Sequence, residues 1–299
     1  LLLGSSYVAL GRPGEAVAAY ERALALAGDN PDALLGRAEA EILLDRDAVL
    51  GRAGDDVLTF EQAQTRIDRL AAGLRAAGIG PDDRVLVNAR NEGRYLLTWL
   101  ALMEVGAVQV PLNPRSTPAE VAGFVHQVGP AAVVTDPDGA PSFGDTPVID
   151  VDELATAAVD GRGPAPRAET DLAVMIPTSG TTGRSKLVMQ THRSYVMAGE
   201  GFPWWMGITE DDRLMTSLPL FHVNAPAYST LGSVVAGAGL VLLPGFSART
   251  FLDDARRHGA TEFNSIGAML EILMRQPVGP DDADTPLRLC YTGPSPTRE

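Results

Sequence analysis

The sequence predicts a layered α/β fold, with mostly parallel sheets and flanking helices, preceded by a short all-α helical hairpin at the N-terminus. Three observations carry this expectation. From about residue 55 onward, short apolar runs alternate with amphipathic segments, the pattern of parallel strands joined by right-handed helical crossovers. In residues 1 to 44 the periodicity is different: small and apolar residues recur at spacings of three and four, interrupted at "GRPGEA" and "AGDNPDA". The composition, 45% hydrophobic and 21% charged over 299 residues, is that of a folded chain long enough for about two domains.

The N-terminal 46 residues read as a helix-turn-helix pair followed by a further helix. Gly4, Tyr7, Ala16, Tyr20, Ala23, Asn30 and Pro31 fall at the spacings of a tetratricopeptide repeat, which this segment resembles. Small residues let two helices approach while the tyrosines fill the groove between them. The plainer alternative is an amphipathic hairpin that packs on its neighbour. A role in docking a protein partner is the functional reading of this segment.

The remainder, 47–299, opens with "LTFEQAQTRIDRLAAGLRAAG", where Thr59 and Gln62 have the spacing of a capping box and Gly78 ends the helix. "RVLVNAR", "VQVPL" and "AAVVTD" then read as strands, with "GRYLLTWLALMEVG" and "TPAEVAGFVHQVG" as the helices between them. "DPDGAPSFGDT" is expected as a surface loop, and "DGRGPAPRAET" (160–170) as a linker and seam between two sub-sheets. Beyond residue 210 the alternation resumes. "DRLMTSLPL", "GLVLLP", "TEFNSI" and "LRLCYTG" are the strands; "APAYSTLGSVVAG", "ARTFLDDARRHG" and "GAMLEILMR" are the helices.

A formal charge of −14 argues against nucleic-acid binding, because an acidic surface repels polyanions. A phosphate ligand would then have to be held by local groups. One cysteine, Cys290, excludes an internal disulfide and favours a reducing compartment; inside "LRLCYTG" it reads as a small core residue. "LGSVVAGAGLVLLP" is too short and too broken by glycine to span a bilayer, so the chain is expected to be cytoplasmic. It begins without Met and stops at "TGPSPTRE" inside what looks like a motif, and both ends are expected to be truncated.

The most informative stretch is "IPTSGTTGRSKLVMQTH", which follows the apolar run "LAVMI". A glycine-rich loop after a buried strand can turn its backbone N–H groups inward as an anion nest. Gly180 and Gly183 permit the turn, Thr178, Ser179, Thr181 and Thr182 add hydroxyl donors, and Lys186 adds charge. A Walker A loop is excluded, since its glycines lie five apart and its lysine follows the second directly. No G-x-G-x-x-G follows a predicted strand either. On composition alone such a loop is also an ordinary turn.

"PTSGTTGRSK" resembles the signature of the AMP-forming adenylating enzymes, which include acyl-CoA synthetases, luciferases and the adenylation domains of peptide synthetases. "LTFEQAQTRIDRLAAGLRAAGIGPDDRVLV", "ALMEVGAVQVPLNPRSTPAEV", "SLPLFHVN" and "LRLCYTGPSP" are similar to that family's segments in their usual order, and together cover residues 55 to 299. Ser185 stands where the family usually has Pro, and Leu187 where it has Gly. The resemblance implies a partial large domain of an adenylating enzyme. The implied reaction joins a carboxylic acid to coenzyme A through acyl-AMP, with ATP and Mg²⁺ as cofactors. It assigns Thr178, Ser179, Gly180, Thr181, Thr182, Gly183 and Lys186 to the β- and γ-phosphates. It places His222, at the end of "LPLFHVN", beside the acyl and nucleotide pocket, gating the thiol's path; a general base is not needed, because a carboxylate is already ionised at neutral pH. Gly293, Pro294 and Ser295 match the family's adenine and acyl pocket.

Within the family, "SLPLFHVNAPAYSTLGS" looks more like CoA ligases than peptide-synthetase domains, and resembles the crotonobetaine/carnitine type. In "SIGAMLEIL", Gly267 and Ala268 replace bulkier residues near the acyl site and imply an altered pocket. The resemblance also places a Mg²⁺-binding Glu, a ribose-binding Asp, a hinge and a small domain with a catalytic Lys beyond Glu299. The 299 residues alone are therefore expected to be inactive or nearly so. The alternative is a non-catalytic protein that docks a partner through its helical segment and keeps a remnant ligase domain.

Overall fold

The computed structural model describes residues 18–20, 22, 47–49, 57–136, 143–178 and 186–293. Its chain falls into two compact units. One comprises 63–195 with 221–223, and the other comprises 1–62 with 196–220 and 224–299. Each unit is built on its own sheet, and each sheet has helices between its strands, the α/β layering expected from the alternation.

The first unit holds a six-stranded sheet. In chain order its strands are β3 (Arg84–Asn88), β4 (Val108–Pro111), β5 (Ala132–Thr135), β6 (Val148–Asp150), β7 (Leu172–Thr178) and β8 (Lys186–Thr191), arranged β6-β5-β3-β4-β7-β8. All pairings are parallel except the last, where β8 returns antiparallel against β7. The strands β3, β4 and β5 are buried on both faces, so they read as unbroken apolar runs rather than alternating ones. Leu86, Val110, Leu112 and Val133 pack there with Val121 and Phe124 of α3 (Pro118–Val128).

The helices of this unit begin and end where their local chemistry dictates. Helix α1 (Phe60–Ala76), which starts in the second unit's share of the chain, is opened by reciprocal bonds: Thr59 N–H donates to Gln62 Oε1 at 3.0 Å, and Gln62 N–H to Thr59 Oγ1 at 3.1 Å. Helix α2 (Gly93–Val105) stops at Gly106, whose φ of 77° is left-handed. Helix α3 has a second capping box, Thr117 with Glu120, and Pro118 in its first turn.

The segment 160–170 is not a seam. Arg75 donates to Asp160 and to the Gly163 carbonyl, Ala165 N–H donates to the Glu104 carbonyl, and Arg167 pairs with Asp82 and Asp171. Those bonds tie a Pro- and Gly-rich stretch down onto its own unit, and β7 continues the same sheet beyond it. The change of unit comes instead at 195/196, inside α5 (His192–Met206). The expected surface loop 136–146 also differs: 137–142 lie outside the described residues, and Phe143 is buried against Leu86 and Val110. Strand β6, the short α4 (Val151–Leu154), α5 and the antiparallel β8 have no counterpart in the sequence expectation.

The second unit has a four-stranded, wholly parallel sheet, β9 (Arg213–Thr216), β10 (Gly239–Leu242), β11 (Glu262–Ser265) and β12 (Leu289–Thr292), in the order β10-β9-β11-β12. "APAYSTLGSVVAG" forms a π-helix, Ala225–Thr230, running into α6 (Leu231–Ala236). Helix α7 (Phe251–His258) packs Phe251 and Ala255 on Met215 and Val241, and α8 (Gly267–Met274) follows β11. Two short antiparallel strands, β1 (Asp47–Val49) and β2 (Val57–Thr59), complete it. Of the N-terminal helical segment, Ala18 to Tyr20 and Arg22 are described and helical, with Ala19 and Tyr20 buried. No helix among the described residues is long and apolar enough to cross a membrane.

Candidate functional site

Strand β7 carries the apolar run into the core and ends at Thr178, and β8 begins at Lys186. The antiparallel register sets these two residues directly opposite each other. Thr178 Oγ1 lies 3.4 Å from the Lys186 carbonyl, and both residues are exposed. The chain therefore leaves and re-enters the sheet at one point. Ser179, Gly180, Thr181, Thr182 and Gly183 lie outside the described residues, as do Pro294 and Ser295. No ion pair among the described residues includes Lys186.

His192, six residues beyond Lys186, opens α5, and its backbone N–H donates to the Asp171 carbonyl at 3.1 Å. Burial depresses its pKa, helped by the Arg167 charge and opposed by Asp171, so the imidazole is neutral at pH 7. It is structural support for the start of the helix.

His222 belongs to the same unit as Thr178 and Lys186. It is exposed, with its ring 4.5 Å from that of Phe221, and desolvation there holds its pKa below the ordinary histidine value. At neutral pH it is an uncharged hydrogen-bonding group. Gly293 follows β12 in the other unit and is exposed. Of the expected site residues, then, the structure brings Thr178 and Lys186 together, and it places His222 and Gly293 on separate loops. Trp204 and Trp205 are 80% and 70% exposed, which removes them from any core. Cys290 is exposed rather than buried in the core, because β12 is the edge of its sheet. Its partial desolvation still pushes the thiol pKa up, so it is a poor nucleophile.

The sequence model of the AMP-binding enzymes matches residues 37–299. The chain belongs to the AMP-binding enzyme family. Among the relatives of this family member is the crotonobetaine/carnitine–CoA ligase of Proteus mirabilis, 29% identical over 254 residues, which are 77% of this chain and 49% of the relative. The ligase of the same description from Citrobacter koseri is 26% identical over 83% of this chain and 53% of its own. The chain thus spans about half the length of the curated relatives it matches. Solved structures agree on the fold. ATP-bound MatB from Rhodopseudomonas palustris superposes with a TM-score of 0.76 at 26% identity, over 85% of this chain and 54% of that one. The AMP complex of O-succinylbenzoate coenzyme A synthetase from Bacillus subtilis gives 0.76 at 26%, over 86% and 66%. A tetratricopeptide repeat model matches residues 1–40.

Some chemistry of the AMP-binding domain was missed in the sequence. Asp212, 4% exposed, is pushed up by burial but pulled lower still by hydrogen bonds from Arg288, Thr261 and Thr209, and it stays ionised. Beside it Glu262, fully buried in β11, has no partner for either carboxyl oxygen. Burial and the Asp212 charge push its pKa up to about 8, against the pull of Arg288, so it is mostly protonated at neutral pH. On the same face, two residues along, Asn264 is also buried. The available signal was a polar residue at alternate positions of a predicted buried strand, "TEFNSI".

Proposed function

We propose that this chain is the front part of an ATP-dependent acyl-CoA ligase. A carboxylate oxygen of the acid attacks the α-phosphorus of ATP, the bond from that phosphorus to the bridging oxygen breaks, and pyrophosphate leaves. The sulfur of coenzyme A then attacks the acyl carbonyl and AMP leaves. In-line phosphoryl transfer is largely positioning and charge neutralisation, and that is what the loop residues supply. Thr178, Ser179, Gly180, Thr181, Thr182 and Gly183 hold the departing pyrophosphate through hydroxyl and backbone donors, and Lys186 balances its charge. Mg²⁺ bound with the nucleotide would supply further neutralisation of the phosphate charge beside Lys186. His222, neutral and exposed, gates the thiol's approach, and Gly293, Pro294 and Ser295 line the adenine and acyl pocket. We take 1–46 as the helical segment and 47–299 as the ligase portion; by itself this portion binds nucleotide with little turnover.

The observation that carries the reading is the pairing of Thr178 with Lys186, which forms no ion pair among the described residues, at the mouth of the β7–β8 connection. Titration calorimetry with Mg-ATP tests it. Lys186→Ala is expected to weaken binding by about tenfold or more, the loss of one charge-assisted contact. An unchanged affinity would remove the assignment.

A second reading has its own support in the tetratricopeptide match at 1–40. On that reading the helical segment docks a protein partner, and deleting residues 1–46 costs the partner while ATP affinity stays.

A further inference from the structure

The outer face of α5 serves neither the core nor the proposed reaction. The inner face is fixed by close packing within the second unit: a Cβ at Gly199 would stand 2.9 Å from Leu231 Cβ, and Phe202, 1% exposed, fills the space over Gly232. At about 100° per residue, Met197, Glu200, Gly201, Trp204 and Trp205 then share the opposite side. A surface helix ordinarily turns charged residues outward. This one turns out Met197, 58% exposed, with Trp204 and Trp205 at 80% and 70%. The Trp205 indole folds back along the helix, its ring carbons 3.7–3.9 Å from where a Cβ on Gly201 would stand, and so joins the stripe. An exposed apolar patch of this kind marks an interaction site.

The charges around the stripe say what kind of partner fits. Glu200 is exposed within it, one turn before Trp204, and exposed Glu210 and Asp211 follow just past the helix end. The arginines at that end are engaged: Arg288 pairs with Asp212 and donates to the Gly207 carbonyl, and Arg213 donates to the His258 carbonyl. Indole faces beside carboxylates attract a guanidinium, which stacks on the ring and pairs with the acid. The area also matters. Two largely exposed indoles and one methionine offer on the order of 400–500 Å², below the roughly 800 Å² per partner of a stable interface, which suits a weak and reversible contact. A second copy of this chain fits poorly, since it would set one acidic rim against another.

We propose that the outer face of α5 docks a basic amphipathic helix of a partner protein, whose apolar side chains cover Met197, Trp204 and Trp205 while its arginines stack on the indoles and pair with Glu200. The inference goes beyond the ligase reading and does not depend on it.

The test uses a synthetic peptide of about 14 residues, long enough to form a helix, with Leu on one face and Arg on the other, and a counterpart with Glu in place of every Arg. Each carries a dye and is titrated with the 299-residue chain by fluorescence anisotropy. The arginine peptide is expected to bind with a Kd of about 10 μM, and the glutamate peptide at least about tenfold more weakly. Trp204→Ser with Trp205→Ser is expected to weaken the arginine peptide about tenfold or more. Glu200→Lys is expected to move the preference toward the glutamate peptide, which a general attraction to an acidic chain would not do. All three side chains are exposed, so these variants keep the fold. Binding of neither peptide, or arginine-peptide binding that survives the double tryptophan variant, would overturn the proposal. So would acrylamide quenching of tryptophan emission no greater than buried Trp99 alone allows, which would mean that another part of the chain covers the stripe. Dimerisation abolished by the tryptophan variant, or tryptophan-dependent binding to phosphatidylcholine vesicles in place of the peptide, would assign the face to a second copy or to a membrane surface and remove this inference.

Discussion

The two sheets of this molecule solve the same problem in opposite ways. In the six-stranded sheet the strands carry mostly Val, Leu and Ala; the buried Gln109 of β4 donates to the Tyr95 hydroxyl at 3.0 Å, only Asn88 at the end of β3 keeps a buried strand oxygen without a partner among the described residues, and a half-hidden charge such as Arg75 is met by Glu104, Asp160 and a carbonyl. In the four-stranded sheet a central strand buries Glu262 and Asn264 and leaves their oxygens unpaired. Removing a polar group from water without a partner is costly, whereas an apolar strand is stabilised by the same burial. The contrast teaches where to look: the first sheet is a scaffold that presents a loop, and the second carries strained chemistry in its own body.

The largest expected effect comes from breaking the scaffold. Leu86→Ala in β3, with Leu86 fully buried, is expected to cost about 2–5 kcal/mol in chemical denaturation, because the rigid core refills the space only partly. A loss below about 1 kcal/mol would mean that the six-stranded sheet is not the tightly packed element described.

A second change separates the sheets by sign. Glu262 titrates at about 8 when folded against an ordinary 4.5, so the folded state holds its proton through a range where the unfolded chain has released it. Stability from this group is complete below pH 4.5, falls as pH rises, and is lost above about pH 8. Glu262→Gln should therefore match the wild type near pH 4 and exceed it at pH 9 by a few kcal/mol, with a flatter profile between. Parallel wild-type and variant profiles would show that the carboxyl is not buried unpaired.

The smallest effect sharpens the comparison from the scaffold side. Thr117→Ala removes one half of the α3 capping box and should cost about 1 kcal/mol, read as faster amide exchange in the first turn of that helix. Exchange unchanged at Val121 would show that tertiary packing alone holds the helix start.

Much of this was legible beforehand, for identifiable reasons. Thr59 with Gln62, Pro118 after Thr117, and glycines at 78, 106 and 129 are local signals, complete within a few residues, and each helix they predicted is present. The loop from Thr178 to Lys186 was recognisable because small donors and one cation after an apolar strand are a chemical pattern in sequence. Other features depended on distant partners. Segment 160–170 looks like a linker until Arg75 and Glu104, more than fifty residues away, are seen to hold it. Cys290 looks like core until β12 proves to be an edge.

What the sequence determined by itself was the α/β class, the order of most strands and helices, and the family motif with its phosphate-type loop. All of these rest on periodicity and on spacing along the chain. The tertiary structure alone decided which strands share a sheet, that β8 runs antiparallel so that Lys186 faces Thr178, and that Glu262 and Asn264 are buried without partners. Pairing and desolvation depend on residues far apart in the chain, and no local pattern encodes them.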